Sequence, residues 1–367
     1  MGFWVITLGC VSLGFYIGWL SFNGLPSNCI GRYYMNVLIT GATGTLGRAI
    51  LRYALERDDV TRLAAFARSE SRLAELVNEF GHYEAFRPFL GDVRDESRLR
   101  DACVGMDTVI HAAALKRVDD GAYNPLEMHK TNVVGSINVA NAARAEGVRN
   151  VVLVSSDKAV SATNTYGGSK YQAENCLREL NAHSAPRGTR ISCVRYGNVL
   201  ASTGSVLTIW DRQRQRNEAL TVTDDSMTRF WMTIDDAVKH IFKAIDIMRG
   251  GEIILPVMRS STIHLLASAY GHVFKGLVEG YESNIRSIGV RSGGEKRHED
   301  LMKATRAIAQ EGVIVIPPAV HSWTTDEWET DDTVSIPSPY RSNSKECLTY
   351  TIYELAELIS SQVKVSL

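Results

Sequence analysis

The sequence predicts an α/β protein: a doubly wound parallel sheet with a smaller C-terminal substrate-binding subdomain. Two observations carry that expectation. From Met35 onward, short apolar runs alternate with segments of helical spacing, the pattern of repeated βαβ units. The first apolar run ends in a glycine-rich turn that opens a helix, as in a Rossmann-like fold.

Taken in order, strands are expected at residues 37–40, 63–67, 86–90, 108–111, 151–155 and 191–196. Helices fall between them at 46–55, 69–80, 132–146 and 166–180. After Asn198 the alternation loosens. Helices are expected at 207–216, 234–248, 263–274 and 352–359, with short strands at 220–223, 252–255 and 313–316. The Ser-, Thr-, Asp- and Pro-containing stretch 317–345 reads as loop. The expected organisation is an extension over 1–34, a dinucleotide-binding domain over 35–200, and a mainly substrate-binding part over 201–367 interleaved with the end of the sheet.

Composition narrows the function classes. Hydrophobic residues are 45% of the 367-residue chain and charged residues 22%, which excludes wholesale disorder. Lys plus Arg number 40 against 41 Asp plus Glu, a formal net charge of −1, so nucleic-acid binding by bulk charge is not expected. The six cysteines (Cys10, Cys29, Cys103, Cys176, Cys193 and Cys347) are scattered without a C-x-x-C pair, and read as reduced thiols of a cytoplasmic protein. The nine histidines form no H-x-x-x-H pair, so no local metal site is expected.

Residues 3–22 carry no charge and reach the roughly 20 residues a membrane span needs. Trp4 and Trp19 lie near the ends, and Gly14 and Gly18 are spaced for helix packing. No Lys or Arg precedes the run, unlike a secretory signal peptide. Two readings stand: a membrane anchor with the catalytic part facing the cytosol, or an upstream extension from a misplaced start before Met35.

The turn Gly41-Ala-Thr43-Gly44-Thr45-Leu46-Gly47 follows the first strand and opens the first helix. Glycines let the backbone approach a pyrophosphate, and the helix N-terminus offers free N–H groups. At the end of the second strand, where an NAD-selective site places an acid, stand Arg68 and Ser69, which suit a 2′-phosphate and so favour NADP. Asp92 and Val93 follow the third strand. The Asp92 carboxylate either accepts from adenine or caps the next helix.

Tyr166 and Lys170 form a Y-x-x-x-K pair on one helix face, where the lysine would lower the phenol's pKa for proton abstraction. Asp157 and Lys158 follow the fifth strand, at a carboxyl end where chemistry gathers in open α/β sheets.

These residues resemble the extended short-chain dehydrogenase/reductases. More closely, the chain from Met35 to about Leu358 is similar to the inverting UDP-N-acetylglucosamine 4,6-dehydratases. The matching stretches are GDVRD (91–95), HAAALK (111–116), NP (124–125), KTN (130–132), SDKA (156–159), Y-G-x-x-K (166–170), VRYGNV (194–199), GSV (204–206), TD (223–224), MTRFW (227–231) and GEK-x-H-E (294–299). Asp-Lys at 157–158 stands where retaining dehydratases carry Asp-Glu, and Tyr166 where a sister dehydratase-epimerase branch carries Met.

The resemblance implies that Gly41, Thr43, Gly44, Thr45, Leu46 and Gly47 hold NADP phosphates, with Arg68 on the 2′-phosphate and Asp92 and Val93 on adenine. It implies that Ala112 and Lys116 line the cleft, that Tyr166 and Lys170 serve the redox step, and that Asp157 and Lys158 are the candidate acid and base. Asn198 and Arg229 are then expected at the sugar, and Arg291 with Glu299 at the UDP end of UDP-N-acetylglucosamine. A homo-oligomer is the expected assembly. A C4-epimerase, a dehydratase-epimerase and a non-catalytic NADP-binding module remain as alternatives. The sequence departs from the family at 1–34, at Asp119-Asp120-Gly121, and by one extra glycine between Arg291 and Glu295.

Overall fold

The computed structural model describes residues 34–184, 188–277, 284–290, 293–303, 306–310, 312–318, 334–335, 342–347 and 349–362. The strands are β1 (Met35–Thr40), β2 (Val60–Ala67), β3 (Phe86–Leu90), β4 (Thr108–His111), β5 (Asn150–Val154), β6 (Arg190–Val194), β7 (Asn198–Val199), β8 (Leu220–Val222), β9 (Thr228–Met232), β10 (Ile253–Pro256), β11 (Arg259–Thr262), β12 (Ile285–Ser287), β13 (Ile308–Gln310), β14 (Val313–Ile316) and β15 (Val334–Ser335). The α-helices are α1 (Thr45–Leu55), α2 (Glu70–Phe80), α3 (Glu96–Cys103), α4 (Val118–Tyr123), α5 (Pro125–His129), α6 (Gly135–Ala145), α7 (Thr165–Ala182), α8 (Val206–Gln215), α9 (Ile234–Ile247), α10 (Ile263–Leu277) and α11 (Ile352–Gln362).

Ten strands form the main sheet in the order β15-β13-β14-β10-β6-β5-β4-β1-β2-β3. The run from β10 to β3 pairs in parallel, and β14, β13 and β15 add antiparallel strands at one edge. Alternate residues of β1 serve opposite faces. Val37 and Ile39 join a core with Ile50 and Leu51 of α1 and Ile241 and Phe242 of α9. Leu38 joins Leu99 of α3, Val139 of α6 and Leu177 of α7. Helices on both faces confirm the doubly wound prediction. The strand order reverses between β1 and β4, the switch point that opens a ligand crevice at the strands' carboxyl ends.

A smaller core around Trp210, Tyr270, Phe274, Leu355 and Ile359 unites α8, α10 and α11. A three-stranded sheet, β11-β9-β7, was not expected from the sequence. Every residue of β9 is buried, so the strand shows no alternation to read. The expected helix at 132–146 begins instead as a π-helical turn, Lys130–Val134, leading into α6.

The expected membrane segment at 3–22 lies outside the described residues. Among the described residues, no helix is long and apolar enough to cross a membrane.

Candidate active site

The turn after β1 brings backbone close to backbone. Gly41 has φ +72°, and a Cβ there would lie 2.7 Å from Ala113 Cα, so the turn packs directly on the segment leaving β4. A Cβ at Gly47 would strike the Gly41 carbonyl oxygen. Gly44 is the N-cap of α1 and supplies no side-chain hydrogen bond to its first turn. Thr45 is held from outside the turn: its hydroxyl lies 2.7 Å from that of Thr203 and accepts from the Thr203 amide. Thr43 and Leu46 are partly buried in the same turn.

Beside this turn, Arg68 is exposed at the end of β2 and lines a cleft of 280 Å³ with Leu115, Asp120, Asn124, Glu127 and Thr131. Asp92 neither caps a helix nor stands free. Its carboxylate accepts from the Arg94 guanidinium and backbone amide, and the α3 cap is Asp95. Burial pushes Asp92 up, but the Arg94 hydrogen bonds outweigh it and hold the carboxyl below its ordinary value. Val93 is buried against the start of α6, where a Cβ on Gly135 would meet its side chain at 2.8 Å.

The segment after β4 is fixed from behind. Asn132, carried on the π-helical turn, accepts from the Leu115 amide and donates to the Leu115 carbonyl and to the Ser169 hydroxyl. Ser169 in turn donates to the Tyr166 carbonyl. One amide thus ties the Ala112–Lys116 segment to α7, with Ala112 partly buried and Lys116 exposed. Below it, His111 is buried between the Thr40 and Ser136 hydroxyls, at 2.6 and 2.9 Å. Ser136 spends its proton on the Asn132 carbonyl, so it accepts from His111 Nε2, and Nδ1 accepts from Thr40. Burial and the Lys170 charge push this neutral histidine down to about 3.

Asp157 and Lys158 form a single helical turn after β5, and α7 starts directly against it. A Cβ on Gly167 would strike the Lys158 carbonyl oxygen. Asp157 is fully buried: Oδ1 accepts from Ser156 (2.8 Å) and from Lys158 Nζ (2.9 Å), while Oδ2 has no partner. Lys158 Nζ also donates to Asn198 on β7 and lies 3.9 Å from Glu299 Oε1. Burial pushes Lys158 down, yet the Asp157 and Glu299 carboxylates outweigh it and hold the ammonium above the ordinary lysine value.

Tyr166 and Lys170 sit one turn apart at the start of α7. Lys170 Nζ donates to the Val154 carbonyl (2.8 Å), and burial pushes the lysine down to about 8. The expected lowering of the phenol by Lys170 is not what the structure shows. Burial raises Tyr166, and the cation that opposes this is Lys158, aided by Ser156.

Arg229 and Glu299 both make contacts within the protein around the Asp157–Lys158 pair. Arg229 is buried, and its guanidinium turns to the 293–299 segment, donating to the Arg297 carbonyl and to Glu295 Oε1. Glu299 Oε1 lies 3.9 Å from the Nζ of Lys158 in that pair. Arg291 lies outside the described residues. The contributions missed from sequence are those of Asn132, Ser169 and His111. Their signal was weak, because polar residues in helices and at strand ends are ordinary.

A family model described as polysaccharide biosynthesis protein matches residues 37–316. The chain belongs to that family. It is 37% identical over 274 residues, 73% of this chain and 78% of the relative, to a Campylobacter jejuni protein named UDP-N-acetylglucosamine 4,6-dehydratase (inverting). It is 38% identical over 272 residues, covering 73% and 77%, to a Rickettsia typhi protein named UDP-glucose 4-epimerase. Among solved structures, Pen from Bacillus thuringiensis aligns at a TM-score of 0.81 and 32% identity, covering 91% of this chain and 99% of that one. This family member therefore has dehydratase-named and epimerase-named relatives within one percentage point of identity, 37% and 38%, and its site must separate the two.

Proposed function

We propose that the protein is a UDP-N-acetylglucosamine 4,6-dehydratase that inverts C5 and uses NADP. The observation that carries this reading is the pair of fully buried Asp157 and half-buried Lys158 beside Tyr166, with Asp157 Oδ2 unpartnered. C4 epimerisation needs a redox site alone. Such an acid–base pair next to that site suits the further loss of water across C5 and C6.

The residues fit the cofactor. The close approach at Gly41 and Gly47, and the uncapped start of α1, suit a pyrophosphate held by Gly41, Thr43, Gly44, Thr45, Leu46 and Gly47. Arg68 would meet the 2′-phosphate, Val93 and the Asp92 region the adenine, and Ala112 and Lys116 the cleft wall. Bound there, nicotinamide would supply, while oxidised, a hydride acceptor for C4 and a positive charge that favours tyrosinate, and, once reduced by that hydride, the donor for C6.

Tyr166 takes the C4 hydroxyl proton, its phenolate favoured by the Lys158 ammonium beside it, while Lys170 is hydrogen-bonded to the Val154 carbonyl one turn below. The resulting C4 ketone acidifies the C5 proton. At rest Lys158 is the ammonium and Asp157 the carboxylate. A proton moved across their 2.9 Å hydrogen bond leaves a neutral amine and a neutral acid. Lys158 Nζ then takes the C5 proton, the electron pair staying in the enolate, and Asp157 gives its proton to the C6 hydroxyl as it leaves as water. One proton is shared across that contact, so the acid and base roles belong to the pair. Asn198 holds Lys158 in place, and Arg229 orders the loop that closes over the pair.

An NMR time course with protein, NADP and UDP-N-acetylglucosamine tests the reading. A UDP-4-keto-6-deoxy-L-arabino product supports it. UDP-N-acetylgalactosamine as sole product assigns the protein to the epimerases instead.

A further inference from the structure

Glu299 is almost fully buried, at 2% exposure, within three cations. Its Oε1 lies 3.9 Å from Lys158 Nζ and 3.9 Å from Arg229 Nε, and its Oε2 lies 2.8 Å from Lys296 Nζ. A negative charge at a diphosphate would repel it, whereas beside a catalytic ammonium it has an electrostatic purpose.

The segment that carries Glu299 is held on every side. The Gly294 carbonyl accepts from Thr163 and Asn164, and Lys296 Nζ donates to the Val160 carbonyl, both just before α7. The Arg297 carbonyl accepts from the Thr228 amide and from Arg229. The Glu299 amide donates to the Ser344 hydroxyl, and the Glu299 carbonyl accepts from the Ser344 amide. Two residues on, the Leu301 carbonyl accepts from buried Arg195, whose guanidinium also pairs with Glu174 of α7 at 2.6 Å. The segment is thus referenced to the same helix that bears Tyr166 and Lys170.

We propose that Glu299 is a positioning residue of the acid–base pair, holding Lys158 as an ammonium shared between two carboxylates. The charged and titratable groups around Lys158 are Asp157, Glu299, Arg229 and Tyr166, with Lys296 and Glu295 one step further out. Asp157 and Glu299 favour the cation and Arg229 opposes it. Glu299 therefore sets how readily the Lys158 proton is released to Asp157. The role in turnover rests on the dehydratase reading; the electrostatic role does not.

The test is a titration of Lys158 in intact protein labelled with ¹³Cε-lysine, the signal being assigned by its loss in Lys158→Arg. Glu299→Gln is expected to lower the Lys158 midpoint by about 1–3 pH units, the effect of one close opposite charge. Glu299→Asp keeps the charge but withdraws it, so its midpoint is expected between the two. The same order is expected for the Lys158-dependent limb of the kcat/KM profile. Coincident midpoints in wild type and Glu299→Gln would overturn the inference, even where kcat/KM falls at all pH values. Should Glu299→Gln not fold, the Glu299→Asp midpoint decides alone: below wild type supports, equal overturns. Wild-type turnover, measured separately, judges the dehydratase reading, and the titration stands whatever that result.

Discussion

Lys170→Met probes the energetics of the site through stability alone. Lys170 is 3% exposed, and burial holds it at about 8, against 10.5 for a lysine in water. That gap is worth about 3 kcal/mol. The unfolded chain keeps the proton up to its higher value, so between about pH 8 and 10.5 it binds a proton that the folded protein has released. The destabilising contribution is therefore present in full below about pH 8 and fades as pH rises to 10.5. Methionine removes it, and also removes the donor to the Val154 carbonyl, at a cost of about 1–3 kcal/mol that does not titrate. At pH 7 the two effects roughly cancel or leave the variant somewhat more stable. At pH 10.5 only the lost hydrogen bond remains, and the variant is the weaker protein. Urea unfolding of both proteins across this range measures the difference, in which every other titrating group is common and drops out. The stability of the variant relative to wild type is expected to fall by about 3 kcal/mol from pH 7 to 10.5. A difference flat to within about 1 kcal/mol would refute the reasoning, because it would mean that Lys170 keeps its ordinary affinity for protons in the fold.

Three further outcomes are expected. Calorimetric titration should show NADP binding more tightly than NAD, with Arg68→Ala eroding the preference; equal affinities in wild type would speak against a 2′-phosphate site. Gly294→Ala should lower both the melting temperature and turnover, since φ is +78° and a Cβ would strike the Thr163 carbonyl oxygen; a substitution with wild-type turnover would show that the segment does not need its contact with the start of α7. In D₂O the product should carry one deuterium at an inverted C5. There Tyr166→Phe should abolish transient reduction of the cofactor, and Lys158→Ala should spare that reduction but block exchange at C5; a D-xylo product would exclude inversion.

The parallel sheet was legible because its chemistry is local. β3, β4 and β14 lie at the residues expected, and the glycine turn announced its own geometry through Gly41 and Gly47. The Asp157–Lys158 and Tyr166–Lys170 pairs were legible because each lies within one turn of chain. What joins them was not. Glu299 reaches Lys158 across 141 positions of sequence, through a loop docked on a strand, β9, that has no apolar alternation. Asn132 acts through a π-helical turn, which no side-chain periodicity signals. The direction of the electrostatics was equally hidden. The Y-x-x-x-K spacing suggested that Lys170 would lower the phenol, yet whether a lysine keeps its charge depends on burial and partners that only the fold supplies.

The two lysines show how far those partners decide chemistry. Lys170 meets a carbonyl and is pushed toward the neutral amine; Lys158 meets two carboxylates and stays an ammonium. A fixed ammonium alone could not remove a carbon-bound proton, and a fixed carboxylate could not protonate a leaving hydroxyl. Both tasks become available together only if one proton moves between them, and the 2.9 Å contact of Nζ with Oδ1 permits that without any change of net charge in a buried site. Net neutrality matters there, because moving a proton out to solvent would leave Asp157 and Glu299 charged and under-compensated. Reprotonation of C5 from the opposite face then needs a donor on the far side of the sugar from Lys158, which is why a solvent-derived deuteron at C5 is the expected signature of inversion.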